Sequence, residues 1–515
     1  MFVPFVDLHT HTQRSDGRLS PEELVSKAFQ SGIRILAVTD HNYTEDLTEL
    51  REFAASQFDE EMTLIQGAEV SALYGDGIEL HIVALGFDPE NPNMKAMLER
   101  HRPDRRPYIE QILAKLRENQ IDLGSYDDIV KRFPDTKYIG RMALARCLFE
   151  DGYTTSVDQS FDLYLGAHGE RRAYVKNPLK YSSLEEVVRT IIQAQGTPVL
   201  AHLLYYSNLD NGNRTGGEDK EKLVRTFSEL VKKYGGVGGI EVYYTRYKDM
   251  DERLYLLRMA QKYGLLISGG SDYHEQESWE TLEHRTSCSA CSDLLDHLGI
   301  KVDFPLSPTE LYILSGYSGA GKGTVAEELK KQKINNKPVA LIQSCTSRSP
   351  RSDNDHYTFL TREEFTAMAN AHKFLEFNDD YVQRGYGTPV DAVKEAIESN
   401  HSVLLEIDRI GLTHLLTDGK INPNLVRSVF IVADAAVVEE RLRLRGTETR
   451  QKIRSRLETA KEESYHLELY DAVIENLVVD DTVQAVIDVF EGDPPVCNFD
   501  PVKFRSDMDL VLASY

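Results

Sequence analysis

Cysteine is scarce: five among 515 residues, an odd and scattered set. Such a set offers no disulfide framework and fits a reducing cytoplasm. The one close pair, Cys288-Ser-Ala-Cys291, has no second pair to complete a zinc or redox site, so free thiols are expected there. No run of about 18 apolar residues occurs, so no membrane span is expected. The N-terminus lacks the basic flank and long apolar stretch of a secretory signal. Positive charge is in deficit, with 59 Lys and Arg against 83 Asp and Glu, a net charge of -24. That surface repels long nucleic acid and anionic membrane. Small nucleotides, and short oligonucleotides held locally by metal and arginine, remain compatible. No internal repeat or low-complexity tract is evident.

What is present is a chain long enough for two or more domains, with an ordinary globular composition of 41% hydrophobic and 28% charged residues. Six residues in, Val6-Asp-Leu-His9-Thr-His11 reads as an apolar strand ending in two histidines. Residues i and i+2 of a strand share a face, so His9 and His11 can serve one ion. Ser15-Asp16-Gly17 is a turn, and a helix follows with Ser20 as N-cap and Pro21 in its first position, stopping at Ser31-Gly32. The strand 33–38 ends in Thr39-Asp40-His41, the strand 62–66 leads into Gly67-Ala68-Glu69, and the strand 79–86 carries His81 in its interior. This alternation predicts a parallel α/β architecture. Chemistry in such folds collects at the C-terminal ends of strands, where Asp16, His41 and Glu69 are expected.

Residues from about 91 to 195 read as a mostly helical insertion. Arg102, Arg105 and Arg106 are expected on a solvated helix face rather than as a phosphate clamp, and Gly140-Arg141 precedes another helix. The α/β pattern resumes with the strand 197–201, ending in His202, and the strand 238–242. The strand 265–267 ends in Ser268-Gly-Gly-Ser-Asp272-Tyr-His274, whose glycines are expected to let backbone approach a ligand. The set His9, His11, Asp16, His41, Glu69, His81, His202, Asp272 and His274 suits zinc, manganese or iron. Nine such groups exceed the needs of one ion. Two or three metals bridged by Glu69 are expected, and clustered metals acidify water and stabilise charge on a phosphoryl group.

Asp7-Leu-His-Thr-His11, Ser15-Asp-Gly17, Thr39-Asp-His-Asn42, Gly67-Ala-Glu69, Leu80-His-Ile82, Ala201-His202 and Ser271-Asp-Tyr-His274 resemble the PHP (polymerase and histidinol phosphatase) superfamily over residues 1–280. Within the insertion, Ile139-Gly-Arg141 and Phe161-Asp-x-Tyr-Leu-Gly166 resemble the branch acting on nucleoside 3′,5′-bisphosphates and short oligonucleotide 5′ ends. The resemblance implies a distorted (β/α)7 barrel with a di- or trinuclear centre. It implies one ion on His9, His11, Glu69 and Asp272, a second on Glu69, His81 and His202, and a third on Asp16, His41 and His274, with Arg141 on substrate phosphate. Where the branch reads Gly-Arg-Pro-His, this chain reads Gly140-Arg-Met-Ala143, and Leu203 replaces a proline.

Residues 281–308 read as a linker. The strand 311–314 then runs into Gly316-Tyr-Ser318-Gly319-Ala320-Gly321-Lys322-Gly323-Thr324 and a helix. Exposed loop N–H groups, a helix N-terminus and Lys322 make a phosphate cradle for Mg-ATP, although Gly323 stands where Ser or Thr is usual. Ser344-Cys-Thr-Ser-Arg348-Ser-Pro-Arg351, Tyr357, Phe374-Leu-Glu376-Phe, Gly385-Tyr386-Gly-Thr388, Leu405-Glu-Ile-Asp408, Arg445 and Arg456 resemble guanylate kinase over residues 309–492, a three-layer α/β/α fold. The resemblance implies that Arg348, Arg351, Tyr357 and Tyr386 hold an acceptor phosphate and that Ser344, Glu376, Thr388 and Asp408 read guanine. It implies that Arg445 and Arg456 neutralise charge during transfer. The tail 493–515 reads as a linker and a short terminal segment. Together these features predict a two-headed enzyme: a metal-dependent hydrolase of phosphate esters on small nucleotides, joined to an ATP-dependent nucleoside monophosphate kinase acting on GMP. A cyclic ribose phosphate phosphodiesterase with a ribose 1,5-bisphosphokinase-like partner is one alternative. A hydrolase gated by a non-catalytic guanine-nucleotide sensor is another.

Overall fold

The structure, a computed structural model, describes residues 4–58, 62–137, 139–166, 173–175, 181–206, 209, 215, 218–247, 249–274, 286–301, 310–350, 357–380, 384–444, 449–494 and 499–515. The chain divides into two compact units, Phe2–Val302 and Asp303–Tyr515.

The first unit is a barrel. Its strands are β1 (Phe5–Asp7), β2 (Ile33–Val38), β3 (Thr63–Tyr74), β4 (Ile78–Leu85), β5 (Thr197–Leu200), β6 (Gly239–Tyr244), β7 (Leu266–Gly270) and β8 (Thr286–Ser287), in the order β7-β6-β5-β4-β3-β2-β1-β8. The N–H of Leu8 donates to the Gly269 carbonyl (3.0 Å) and that of Asp272 to the His9 carbonyl (2.8 Å), so the end of β7 returns to the segment after β1 and closes the ring. The helix Pro21–Gln30 begins at the expected N-cap. The Ser20 hydroxyl accepts from the Glu23 N–H (3.2 Å), and the Glu23 carboxylate accepts from the Ser20 N–H (2.9 Å).

The sheet is mixed rather than parallel, because β4 runs antiparallel to both β3 and β5. Gly75 and Gly77, at φ +54° and +97°, form a tight hairpin where a crossover helix was expected. Glu69 therefore lies in the middle of β3 and not at its end. Gly67 marks a close approach, not a strand end: a Cβ there would sit 2.7 Å from the Val38 carbonyl oxygen.

Between β4 and β5 the helices Pro92–Arg100, Arg106–Glu118, Tyr126–Arg132, Arg141–Glu150 and Val157–Ser160, with the π-turn Phe161–Leu165, form the insertion. Most of it shares a core of its own, including Ile112, Leu116, Leu144 and Leu148. The helix Leu184–Gln193 packs instead on β3, β4 and β5. Cys288 and Cys291 are buried, and burial lifts the Cys288 thiol to about 12, which leaves it inert.

The second unit is a three-layer α/β/α fold around a sheet ordered Lys333–Ile334, Lys337–Ile342, Ser402–Glu406, Leu311–Gly316, Val426–Val432, Ala472–Glu475, parallel except at its first edge strand. A smaller sheet carries Cys345–Thr346, Thr358–Phe359, Phe374–Asp380 and Arg384–Pro389. Among the described residues no helix is long and apolar enough to cross a membrane.

The tail contains a helix, Pro501–Leu512, capped by Asp500 and packed on the helices Ala435–Leu444 and Arg450–Glu463. Its Phe504 and Met508, one helical turn apart, join the core of the unit. Phe504 stacks on Tyr317 of the glycine-rich loop with ring centroids 4.9 Å apart and planes inclined by 9°. Phe504→Ala should therefore destabilise this unit by about 3–5 kcal/mol, read as a shift of its denaturant midpoint. An unchanged midpoint would mean that the tail helix is not part of the folded core.

Candidate functional site

In the first unit, nine side chains singled out in the sequence converge in one cluster, with His9, His11 and Glu69 buried and the other six half-buried. Glu69, 1% exposed, is its centre. Its Oε1 lies 2.8 Å from His81 Nδ1 and 3.0 Å from His202 Nε2. Its Oε2 lies 2.8 Å from His41 Nδ1, 3.3 Å from His11 Nε2 and 3.4 Å from His9 Nε2. Asp272 Oδ1 approaches His11 Nε2 (3.0 Å) and His274 Nδ1 (3.4 Å), and Asp16 Oδ1 approaches His274 Nε2 (3.1 Å). Asp16 Oδ2 lies 3.5 Å from His41 Nε2.

Three overlapping groups offer ligand atoms within 4.8 Å of one another: His9, His11, Glu69 and Asp272; His11, Asp16, His41 and His274; and His41, Glu69 and His81. Several of these atoms, among them His9 Nε2, His11 Nε2, Asp16 Oδ1 and Glu69 Oε2, are buried and close to opposite charge yet make no hydrogen bond of proper geometry. Such burial is costly, and atoms aimed at shared points between them fit cations placed there. Burial opposes charge on the imidazoles of His9, His11, His41, His81 and His274. For His274 the carboxylates of Asp16 and Asp272 outweigh it and raise the pKa to about 9. For His11 burial wins, helped by His274 and His41, and the pKa falls to about 4.

The backbone is shaped to the cluster. His202 and Asp272 adopt φ +30° and +52°, and Asn42, next to His41, adopts +49°. Such conformations cost energy in non-glycine residues and persist only where surroundings impose them. The glycines at the end of β7 serve neighbouring chain rather than ligand. A Cβ on Gly270 would meet His9 Cβ at 2.4 Å and Glu241 Oε1 at 2.9 Å, and one on Gly269 would meet Thr286 Oγ1 at 2.7 Å.

Several residues around the cluster take roles that the sequence analysis did not assign. Buried Glu241 on β6 faces His9 Nδ1 (3.1 Å) with one oxygen and accepts the His202 N–H (2.8 Å) with the other. Asp7 accepts N–H bonds from His9 (3.2 Å) and Ser271 (2.9 Å), tying β1 to the turn after β7. The Tyr244 hydroxyl donates to Asp272 Oδ2 (2.9 Å). Apart from the Asp7–His9 bond, these roles depend on bonds between segments distant in sequence, which no local pattern announces.

Arg141 heads the helix Arg141–Glu150, with its guanidinium 5.7 Å from the Tyr174 ring centre. The expected solvated face for Arg102, Arg105 and Arg106 holds for Arg106, which is exposed and pairs with Asp127 (2.7 Å). Arg102 lies over Tyr43 (4.9 Å). Arg105 bonds the Tyr181 hydroxyl (3.3 Å). Burial raises the pKa of Glu79, but the neighbouring His81, Arg141 and Arg105 bring it below the ordinary value, so both arginines bring positive charge beside the cluster.

In the second unit the glycine-rich loop joins the strand Leu311–Gly316 to the helix Lys322–Leu329. Gly321, at φ +93°, starts the helix, and a Cβ there would meet Asn476 Nδ2 at 2.3 Å. The Ala320 carbonyl accepts from Arg441 (3.0 Å) and Asn476 (2.8 Å), two braces absent from the sequence analysis. Lys322 Nζ lies 3.3 Å from Glu406 Oε1. Arg456 donates to Ser318 Oγ. A Cβ on Gly323 would meet nothing within 4 Å, and Thr324 beside it is exposed.

On the acceptor side, Arg348 lies over the Tyr357 ring (4.9 Å), whose centre is 5.8 Å from that of Tyr386. The Ser344 carbonyl accepts from the Thr358 N–H (3.0 Å). Buried Glu376 accepts from the Thr388 hydroxyl (2.6 Å). Asp408 caps the helix Arg409–Thr417, accepting from the Gly411 N–H (2.8 Å). Arg351 and Arg445 lie outside the described residues.

Burial raises the Glu376 carboxyl from 4.5 to about 7. The folded state then keeps a proton that the unfolded chain has released, so Glu376 lowers stability as pH rises from 4.5 to about 7. Glu376→Gln should remove that part of the slope, and the gap between variant and parent in denaturant melts should widen in the variant's favour from pH 4.5 to 8. A pH-independent gap would refute the buried acid.

Comparisons with known proteins accord with this division. The PHP domain family model matches residues 7–242 and the guanylate kinase model residues 308–493. A Haemophilus influenzae protein named 5′-3′ exoribonuclease is 34% identical over 273 residues, 53% of this chain and 91% of that protein. A Chromobacterium violaceum 3′,5′-nucleoside bisphosphate phosphatase is 32% identical over 269 residues, 52% and 87% of the two chains. A guanylate kinase of Halalkalibacterium halodurans is 37% identical over 186 residues, 34% and 86%. With a histidine-carboxylate cluster in one unit and a glycine-rich phosphate loop in the other, the chain belongs to two families at once: it is an enzyme in which a phosphoesterase of the PHP family is joined to a kinase of the guanylate kinase family.

Proposed function

We propose that the first unit hydrolyses phosphate esters on nucleoside 3′,5′-bisphosphates or short oligonucleotide 5′ ends, and that the second transfers phosphate from Mg-ATP to GMP. The observation that carries the first half is the Glu69 cluster, a buried carboxylate facing five imidazoles within 3.4 Å. We assign His9, His11, Glu69 and Asp272 to one divalent ion, Glu69, His81 and His202 to a second, and Asp16, His41 and His274 to a third, of manganese, zinc or iron. Bound ions would acidify water and stabilise charge on a phosphoryl group. Glu241 orients His9 through Nδ1 and thereby aims Nε2 at the site, as carboxylates behind ligating histidines do. Arg141 supplies a guanidinium for substrate phosphate, and Arg105 adds positive charge on the same side.

In the kinase half, the loop from Gly316 to Thr324 cradles the ATP phosphates. Lys322 leaves Glu406 to meet them, and Arg456 sits against Ser318 to neutralise charge in transit. Arg348, Tyr357 and Tyr386 hold the acceptor phosphate, with Arg351 assigned to the same role. Arg445 joins Arg456 as a second neutralising charge. Ser344, Glu376, Thr388 and Asp408 read the guanine edge, Glu376 as the carboxylate for its N–H donors. An oxygen of the GMP phosphate bonds the γ-phosphorus as the bond to ADP breaks, giving GDP. Positioning and charge carry this reaction, since the protein makes no bond to the phosphoryl group.

Two measurements test these assignments. Glu241→Gln should weaken metal binding about 10- to 100-fold, read by titration of metal-stripped protein. Unchanged affinity would remove Glu241 from the site. Lys322→Ala should abolish GMP-dependent ADP release while leaving phosphate-ester hydrolysis intact. If the parent consumes ATP with ribose 1,5-bisphosphate and not with GMP, the acceptor assignment is wrong.

A further inference from the structure

The chain makes a rigid turn beside the cluster. After His202 comes a short 3₁₀ turn, Leu203–Tyr205, in which Leu203 and Leu204 are buried. The Leu204 N–H donates to the Tyr247 hydroxyl (3.1 Å), and the Tyr205 N–H returns to the His202 carbonyl (2.9 Å). Tyr205 is thus held on a fixed backbone. Its ring meets Tyr244 edge-on, with centroids 5.5 Å apart and planes at 85°, and lies nearly parallel to Tyr247 at 6.1 Å and 28°. Both partners are buried, yet Tyr205 is 46% exposed.

A single exposed tyrosine needs no explanation on an ordinary surface. This one is placed by the cluster itself. Its turn starts at His202, and the Tyr244 beneath it donates to Asp272 and has its ring centre 5.9 Å from that of His202. Arg246, exposed on the loop after β6, is close by. It lies in sequence between Tyr244 and Tyr247, the two rings against which Tyr205 packs. One edge of the cluster therefore carries an accessible aromatic face with a cation next to it.

Resting on the phosphoesterase assignment above, we propose that Tyr205 is the platform on which the nucleobase of the substrate stacks while its phosphate lies at the cluster, with Arg246 facing a neighbouring phosphate. Base stacking on an aromatic ring tolerates any base, because every base has a π face, and a tyrosine on a fixed turn gives up little freedom to form it. The platform thus selects nucleotides over phosphorylated sugars without selecting a sequence.

The test uses the full chain as Tyr205→Ala and Tyr205→Phe, with adenosine 3′,5′-bisphosphate and a 5′-phosphorylated trinucleotide as substrates and inorganic phosphate as a base-free inhibitor. Tyr205→Ala should raise KM for a base-bearing substrate about tenfold. It should leave the inhibition constant of phosphate unchanged, and Tyr205→Phe should keep parental values for both. Whichever substrate shows the KM effect is the one the platform serves: the mononucleotide or the oligonucleotide end. A KM indifferent to Tyr205→Ala on both substrates would overturn the proposal. So would a phosphate inhibition constant that moves in step with KM, or a Tyr205→Phe variant that behaves like the alanine. If the parent hydrolyses neither substrate, the phosphoesterase assignment itself falls, a failure distinct from all of these.

Discussion

The first unit depends on one buried carboxylate. Glu69 lies almost fully out of water with imidazoles of His9, His11, His41, His81 and His202 against its two oxygens. These five histidines come from four separate parts of the chain, His9 and His11 sharing one, and much of the barrel is arranged to bring them together. The ring closes where Leu8 and Asp272 bond across to β7 and the His9 carbonyl. It can close that tightly because Gly270 leaves no Cβ to strike His9. Asp7 and Glu241 then lock the backbone and ring orientations from behind. A charged cluster at this depth is unfavourable unless cations complete it, so the strained backbone at His202 and Asp272 is best understood as a cost carried for function.

The second unit handles phosphate by other means. The anion site proposed for it would be built from backbone: a glycine-rich loop opening a helix, braced through the Ala320 carbonyl by Arg441 and Asn476. Tyr317, inside that loop, is stacked by Phe504 from a helix beyond the stretch matched by the guanylate kinase family. The same helix reaches the arm that carries Arg456, through Lys461 and Asp509 (2.5 Å). On the assignments proposed above, the first unit would control phosphoryl charge through metal-holding side chains, and the second through loop amides together with Lys322 and Arg456.

Local patterns made most of the chemistry legible. His9-x-His11 and Asp272-x-His274 announce themselves by spacing, and the loop from Gly316 to Thr324 by its glycines and the strand and helix around it. The rest was hidden for physical reasons. Glu241 faces His9 and the His202 N–H, and Asp7 accepts from Ser271 as well as from nearby His9, so the partners that define their roles lie mostly far away in sequence. Glu69 was expected at the end of a strand over 62–66, whereas β3 runs on through it to Tyr74 as one arm of a long hairpin, and Gly67 permits close packing within that strand. Arg105 was grouped with its solvated neighbours, yet the fold turns it toward Tyr181 and Glu79. The tail helix rests on two apolar residues one turn apart, too faint a signal to stand out from a polar segment.

The account rests on the Glu69 cluster being a polynuclear metal centre, and elemental analysis of the purified full chain tests that most directly. About two to three equivalents of transition metal per chain are predicted, falling to about one in Glu69→Gln, since that carboxylate is taken to bridge two of the ions while Asp16, His41 and His274 hold the third. Trace metal only, in protein whose phosphate-ester hydrolysis survives exhaustive chelation, would contradict it.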